Sequence, residues 1–270
     1  MISVAPVAAV RQHLNARQLA EEVIACGEAK AAMVHLHVRD EEGQLTEDLS
    51  LVEQAARLIR ERSDIILQIS TGGVSSLSIK QRCAPVSPQW VEANSLNVGS
   101  VNLGEAVYQN PIKDVRYCVE QILKYKKVPE IEVFEMGMIK TVWDLAREYP
   151  FARPILFSIV LGHPGAAPAT ERTLRSMLGT LEEFFPEPGE ALWGITQAGR
   201  EDFTLIEKAL KMGASTVRIG FEDSAYLAPW VRAESNVPLV EKTADLISRL
   251  GLSPASPAEA RQMLGIPELN

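Results

Sequence analysis

The chain has 270 residues, 46% hydrophobic and 23% charged, the composition of a folded domain rather than a disordered segment. Its 27 basic and 35 acidic residues leave a net charge of −8, which argues against a general nucleic-acid or membrane-surface binder. No apolar run reaches the roughly 18 residues that a membrane-spanning helix needs.

The start lacks a basic leader, so no signal peptide is expected. Residues 2–7 read as a strand and 16–26 as a helix. Residues 33–38 form a second strand, followed by a turn at Glu42 and Gly43. Residues 49–62 carry Leu51, Val52, Ala55, Leu58 and Ile59 near helical spacing. A strand over 65–70 closes on Thr71, Gly72 and Gly73, and Pro85 and Pro88 leave 74–91 irregular, with room only for a weak helix. Strands over 93–98, 131–135, 155–161, 192–196 and 216–221 follow, with helices over 112–125, 137–148, 171–184, 202–212 and 237–250. Gly213 stops the helix before it. A short extra helix over 256–264 is capped by Ser256 and opened by Pro257. Cys26, Cys83 and Cys118 form no CxxC pair, so they are expected to be buried thiols in a cytoplasmic protein.

Eight strands at one per about 34 residues predict a (β/α)8 barrel, built as a single domain over residues 1–270. The strands are nearly continuously apolar, as buried parallel strands are. An open doubly wound sheet is less suited, because no GxGxxG or GxxxxGK[ST] follows a strand.

In such a barrel the chemistry lies at the C-terminal strand ends. His35 and His37, two apart on the second strand, point to one face and can converge on one metal ion. On the eighth strand, alternation places Arg218, Gly220 and Glu222 together, with Gly220 leaving room at the centre of the mouth. Two imidazoles and the Glu222 carboxylate match a catalytic zinc arrangement, and manganese or iron would also be accepted. Asp223 and Arg218 suit a base and the cation that keeps it ionised. Ser70 with Gly72 and Gly73 would offer backbone N–H groups to an anionic substrate. Ser100, Asn102, Glu135, His163 and Arg200 lie at the same end.

The segments HLHVRD, QISTGG, LNVGSVN, VLGHPG and RIGFED, in that order from about Ile2 to Leu264, resemble the β-keto acid cleavage enzyme family. The resemblance implies a zinc (β/α)8 barrel that converts a β-keto acid and acetyl-CoA into acetoacetate and a new acyl-CoA. It implies zinc on His35, His37 and Glu222, and Asp223 as the base, oriented by Arg218. Ser70, helped by Gly73 and Asn102, would hold the carboxylate end. Ser100 would match the family hydroxyl, and Glu135 a strand-5 acid. Arg200, Lys80 and Arg82 are candidate coenzyme A contacts, and His163 would touch the substrate tail or coenzyme A. The best-known member acts on an amino-substituted acid and has a glutamate just after strand 1. Val10 stands there in this chain, so the expected substrate has a neutral or apolar tail. A homodimer or homotetramer is expected. The competing readings are a metal-dependent aldolase or isomerase without coenzyme A, and an inactive metal-binding metabolite sensor.

Overall fold

The computed structural model describes residues 1–8 and 14–267. Val10 therefore lies outside the described residues. Eight parallel strands close into a barrel: β1 (Ile2–Val4), β2 (Met33–Leu36), β3 (Ile66–Ser70), β4 (Ala93–Asn97), β5 (Val128–Val133), β6 (Ile155–Leu161), β7 (Ala191–Gln197) and β8 (Thr216–Ile219). Each strand pairs with its neighbour in sequence. Closure comes from β1 on β8, with Ser3 opposite Arg218.

Amphipathic helices cover the outside: α1 (Ala16–Glu28), α2 (Ser50–Arg60), the short α3 (Ile79–Arg82), α4 (Ile112–Lys124), α5 (Met136–Glu148), α6 (Glu171–Phe184), α7 (Thr204–Lys211) and α8 (Val237–Arg249). Their buried faces pack on the outward residues of the strands, such as Val34, Leu36, Leu67, Ile69, Ile131 and Val133. A last helix, α9 (Pro257–Leu264), starts at a Ser256 capping box and ends on left-handed Gly265. Its Ala260 and Leu264, with Ile266, cluster with Met1, Met33, Ile66, Ala93 and Leu156, which seals the bottom of the barrel with apolar side chains.

The inward positions above that floor are polar: Ser3, His35, Gln68, Ser95, Glu130, Ser158, Thr196 and Arg218 are all buried. This explains where strand 5 differs from expectation. The strand runs from Val128 to Val133 rather than over 131–135. Glu130 falls outside the expected span and Glu132 inside it, yet both fill inward positions of a polar interior. Two antiparallel hairpins, Val101–Leu103 with Ala106–Tyr108 and Tyr226–Ala228 with Val231–Arg232, were not expected. Both rise from the C-terminal ends of strands, after β4 and β8. No described helix is long and apolar enough to cross a membrane.

Candidate active site

Strand β2 presents His35 inward, and His37 follows just past its end on the same side. Their Nε2 atoms lie 3.4 Å apart. Glu222 Oε1 is 3.2 Å from His37 Nε2 and 3.8 Å from His35 Nε2. A tetrahedral zinc with bonds of roughly 2.0–2.1 Å needs ligand atoms about 3.3 Å apart, so this triad fits such an ion. Among the described residues it is the one group of His, Cys, Asp or Glu gathered closely enough to hold a metal. The other ring nitrogens are occupied: His35 Nδ1 lies 2.6 Å from Gln68 Oε1, and His37 Nδ1 lies 3.1 Å from the Gly72 carbonyl. Such outer contacts orient the Nε2 atoms toward a metal. Burial, aided by Arg218, lowers the His35 pKa to about 3, so the imidazole is neutral and able to ligate.

Glu222 and Asp223 do not sit on a strand. β8 ends at Ile219, and Gly220 turns away with φ +136° to bridge Ser224. The turn brings both carboxylates back onto Arg218, which strict alternation would allow only for Glu222. Gly220 makes room for the backbone of Ala5 rather than for a ligand, since a Cβ there would lie 2.2 Å from the Ala5 carbonyl oxygen. The buried Asn236 side chain steadies the turn by accepting the Phe221 N–H at 2.8 Å.

Arg218 is the electrostatic centre. Its Nε donates to Asp223 Oδ2 at 3.0 Å, and Nη2 donates to Asp223 Oδ1 at 3.0 Å and to Glu222 Oε1 at 2.7 Å. Nη1 donates to Glu132 Oε1 at 2.8 Å. Burial pushes Glu222 up, but His37 and Arg218 together hold it well below the usual carboxylate range. Burial raises Asp223 to about 6 against the pull of Arg218, which is the behaviour of a carboxylate suited to accept a proton near neutral pH.

Other expected residues are placed differently. Glu135 is exposed at the N-cap of α5, and the strand-5 acid on Arg218 is Glu132. The physical reason is parity: the inward positions of β5 are even-numbered. Ser70 is buried at the end of β3, 3.0 Å from Ser95 Oγ, and it accepts the Gly72 N–H. The Gly72 N–H is therefore spent within the loop rather than left for an anion, and the Tyr108 hydroxyl packs against Gly72. Ser100 is exposed and accepts the Asn110 N–H at 2.8 Å, tying down the first hairpin. Asn102 is exposed on that hairpin, against the Gly165 loop. His163 is half-buried beside Phe134, with ring centroids 5.8 Å apart, and burial lowers its pKa.

Of the coenzyme A candidates, Lys80 is exposed on α3. Arg82 is turned inward, donating to the Thr71 and Gln109 carbonyls and to Asn110 Oδ1. Arg200 is no rim residue: it is buried, stacks on Phe203 and donates to the Tyr226 carbonyl at 2.6 Å. Sequence reading missed Gln68, Glu132, Asn97 and Asn236. Only Gln68 had a signal, as the inward partner of His35 one strand away.

A profile of the beta-keto acid cleavage enzyme family matches residues 13–266. The chain belongs to this family. It is 32% identical over 251 residues to the 3-keto-5-aminohexanoate cleavage enzyme of Acetoanaerobium sticklandii, covering 92% of this chain and 89% of that one. It is 31% identical over 250 residues to the 3-oxoadipate:acetyl-CoA acetyltransferase of Cupriavidus necator, covering 92% and 86%. The apo structure of ObcA superposes with a TM-score of 0.80 at 20% identity, over 94% of this chain. This family member spans 65% of that protein's length, and the likeness bears on the barrel fold.

Proposed function

We propose that the protein exchanges the acyl group of a β-keto acid with acetyl-CoA, giving acetoacetate and a new acyl-CoA. The observation that carries this reading is the juxtaposition of the His35, His37 and Glu222 triad with the Asp223–Arg218 pair. A metal held by the triad would lie beside a buried carboxylate, an arrangement suited to proton abstraction next to a ketone. Family membership and relatives named for acetyl-CoA-dependent transfers support it.

Zinc held by His35, His37 and Glu222 would supply Lewis-acid charge at the keto oxygen when the substrate binds. Asp223, held in plane by two bonds from Arg218, takes the C2 proton. The resulting C2 carbanion attacks the thioester carbon of acetyl-CoA. A C–C bond forms, the C–S bond breaks and coenzyme A leaves as a thiolate. The thiolate then adds to the original keto carbon. Cleavage of its bond to C2 releases the new acyl-CoA, and C2 regains its proton from Asp223 as acetoacetate departs. Glu132 and Asp223 grip Arg218 from two sides, so the guanidinium cannot swing away during the cycle. Ser70 binds the carboxylate end of the substrate, and its hydroxyl is preset by Ser95. The substrate carries a neutral or apolar tail, and the working form is a homodimer or homotetramer.

The test supplies zinc-loaded protein with β-keto acids bearing neutral, cationic or anionic tails, with and without acetyl-CoA. Acetoacetate is expected only with acetyl-CoA, and most from a neutral tail. No acetoacetate from any of them refutes the reading.

A further inference from the structure

Beneath the metal triad runs a chain of buried polar side chains. His35 Nδ1 lies 2.6 Å from Gln68 Oε1, and Gln68 Nε2 donates to Glu130 Oε2 at 2.6 Å. Ser158 lies near enough to Glu130 to favour its ionised carboxylate, and its hydroxyl lies 2.9 Å from Thr196 Oγ1. All five side chains come from inward positions of β2, β3, β5, β6 and β7, and each residue is at most 2% exposed. Each link is therefore shielded from bulk water.

A glutamine amide offers one acceptor end and one donor end, and the partners decide which way it lies. Here the NH2 end faces two acceptors, Glu130 Oε2 and the Met33 sulfur at 3.6 Å. The reversed amide would set its oxygen against the Glu130 carboxylate and leave an N–H pointing at His35. With Oε1 on the His35 side, Nδ1 must carry the ring hydrogen. The lone pair then lies on Nε2, the atom that faces His37 and Glu222. The opposite tautomer would aim an N–H at the place where a metal must bind.

We infer that Glu130 is a positioning residue for the metal site: by fixing the Gln68 amide it selects the Nδ1–H tautomer of His35 and keeps Nε2 free to ligate. This rests on the reading of His35 as a metal ligand. Glu130 itself touches neither substrate nor metal. A purely structural polar filler at position 130 would influence stability without influencing the imidazole tautomer.

The experiment uses metal-free protein with 15N-labelled histidine and long-range 1H–15N NMR to assign the His35 tautomer. Zinc affinity is measured in parallel by competition with a chromophoric chelator. Wild type is expected to show the Nδ1–H form. Glu130→Leu is expected to populate the Nε2–H form and to bind zinc about 10–100-fold more weakly, the usual effect of losing an outer-shell partner. Glu130→Gln, which retains an acceptor oxygen for the amide, is expected to keep both the tautomer and the affinity. Gln68→Met removes the same hydrogen bond without touching Glu130 and serves if Glu130→Leu does not fold. A folded Glu130→Leu or Gln68→Met protein with the wild-type tautomer and affinity overturns the inference. A wild-type protein that binds no zinc overturns the metal-site reading instead.

Discussion

Replacing Gly220 by alanine tests how the fold delivers two carboxylates to one arginine. The added methyl would sit 2.2, 2.6 and 2.8 Å from O, C and N of Ala5, all backbone atoms of β1's extension. Ordinary carbon contacts need about 3.5 Å, so the two segments must part by about 1 Å. Two hydrogen bonds cross that gap, Ala5 N–H to the Ile219 carbonyl at 2.8 Å and Glu222 N–H to the Ala5 carbonyl at 3.1 Å. Their loss costs about 1–3 kcal/mol together. Holding an L-residue at φ +136° adds about 1–3 kcal/mol. The expected destabilisation is about 2–6 kcal/mol, a large part of the roughly 5–15 kcal/mol of a typical domain. Urea denaturation of the metal-free proteins reads it directly. Gly213→Ala is the control, because Gly213 also has positive φ but nothing lies within 4 Å of its would-be Cβ. It should cost only about 1–2 kcal/mol of backbone strain. Zinc retention by Gly220→Ala should also fall, because Glu222 rides on the displaced turn. Equal stabilities for the two variants, with zinc fully retained, would refute the argument.

Three further outcomes are expected. The double change His35→Ala and His37→Ala should abolish stoichiometric zinc binding, measured by elemental analysis after gel filtration, and retained zinc would show that the ligand set is wrong. Asp223→Asn should keep zinc but lower kcat by at least about 100-fold, the scale of a lost general base, while near-normal turnover would assign the base elsewhere. The third concerns Glu132, which burial raises from an ordinary 4.5 to about 7 despite Arg218. A raised carboxyl contributes stability that is present below pH 4.5 and lost as the pH rises through 7, up to about 3 kcal/mol. Glu132→Gln removes that titration, so its stability relative to wild type should improve between pH 5 and pH 8 in urea melts of metal-free protein. Parallel pH profiles for the two proteins would contradict the burial argument.

Sequence alone carried the cadence of the barrel, because alternating apolar strands and amphipathic helices are local patterns of burial that one chain displays without its partners. It also brought out the HxH pair, since two residues apart on a strand share a face whatever surrounds them. Its family motifs named Glu222, Asp223 and Arg218. Tertiary structure alone decided how those three meet. The turn at Gly220 breaks the alternation that would have sent Asp223 away, and its cause is the approach of β1, more than two hundred residues earlier in the chain. The strand-5 acid was likewise misplaced at Glu135, because nothing local announces that the interior of this barrel is polar at Glu130 and Glu132. The glycines of the QISTGG segment and the hydroxyl of Ser100 looked available to a ligand, but the Gly72 N–H is spent on Ser70 and Ser100 accepts the Asn110 N–H. Local spacing determines which way a side chain leaves its own strand. Which hydrogen-bonding groups are already spent, and which buried charges face each other, depends on strands brought together only when the barrel closes.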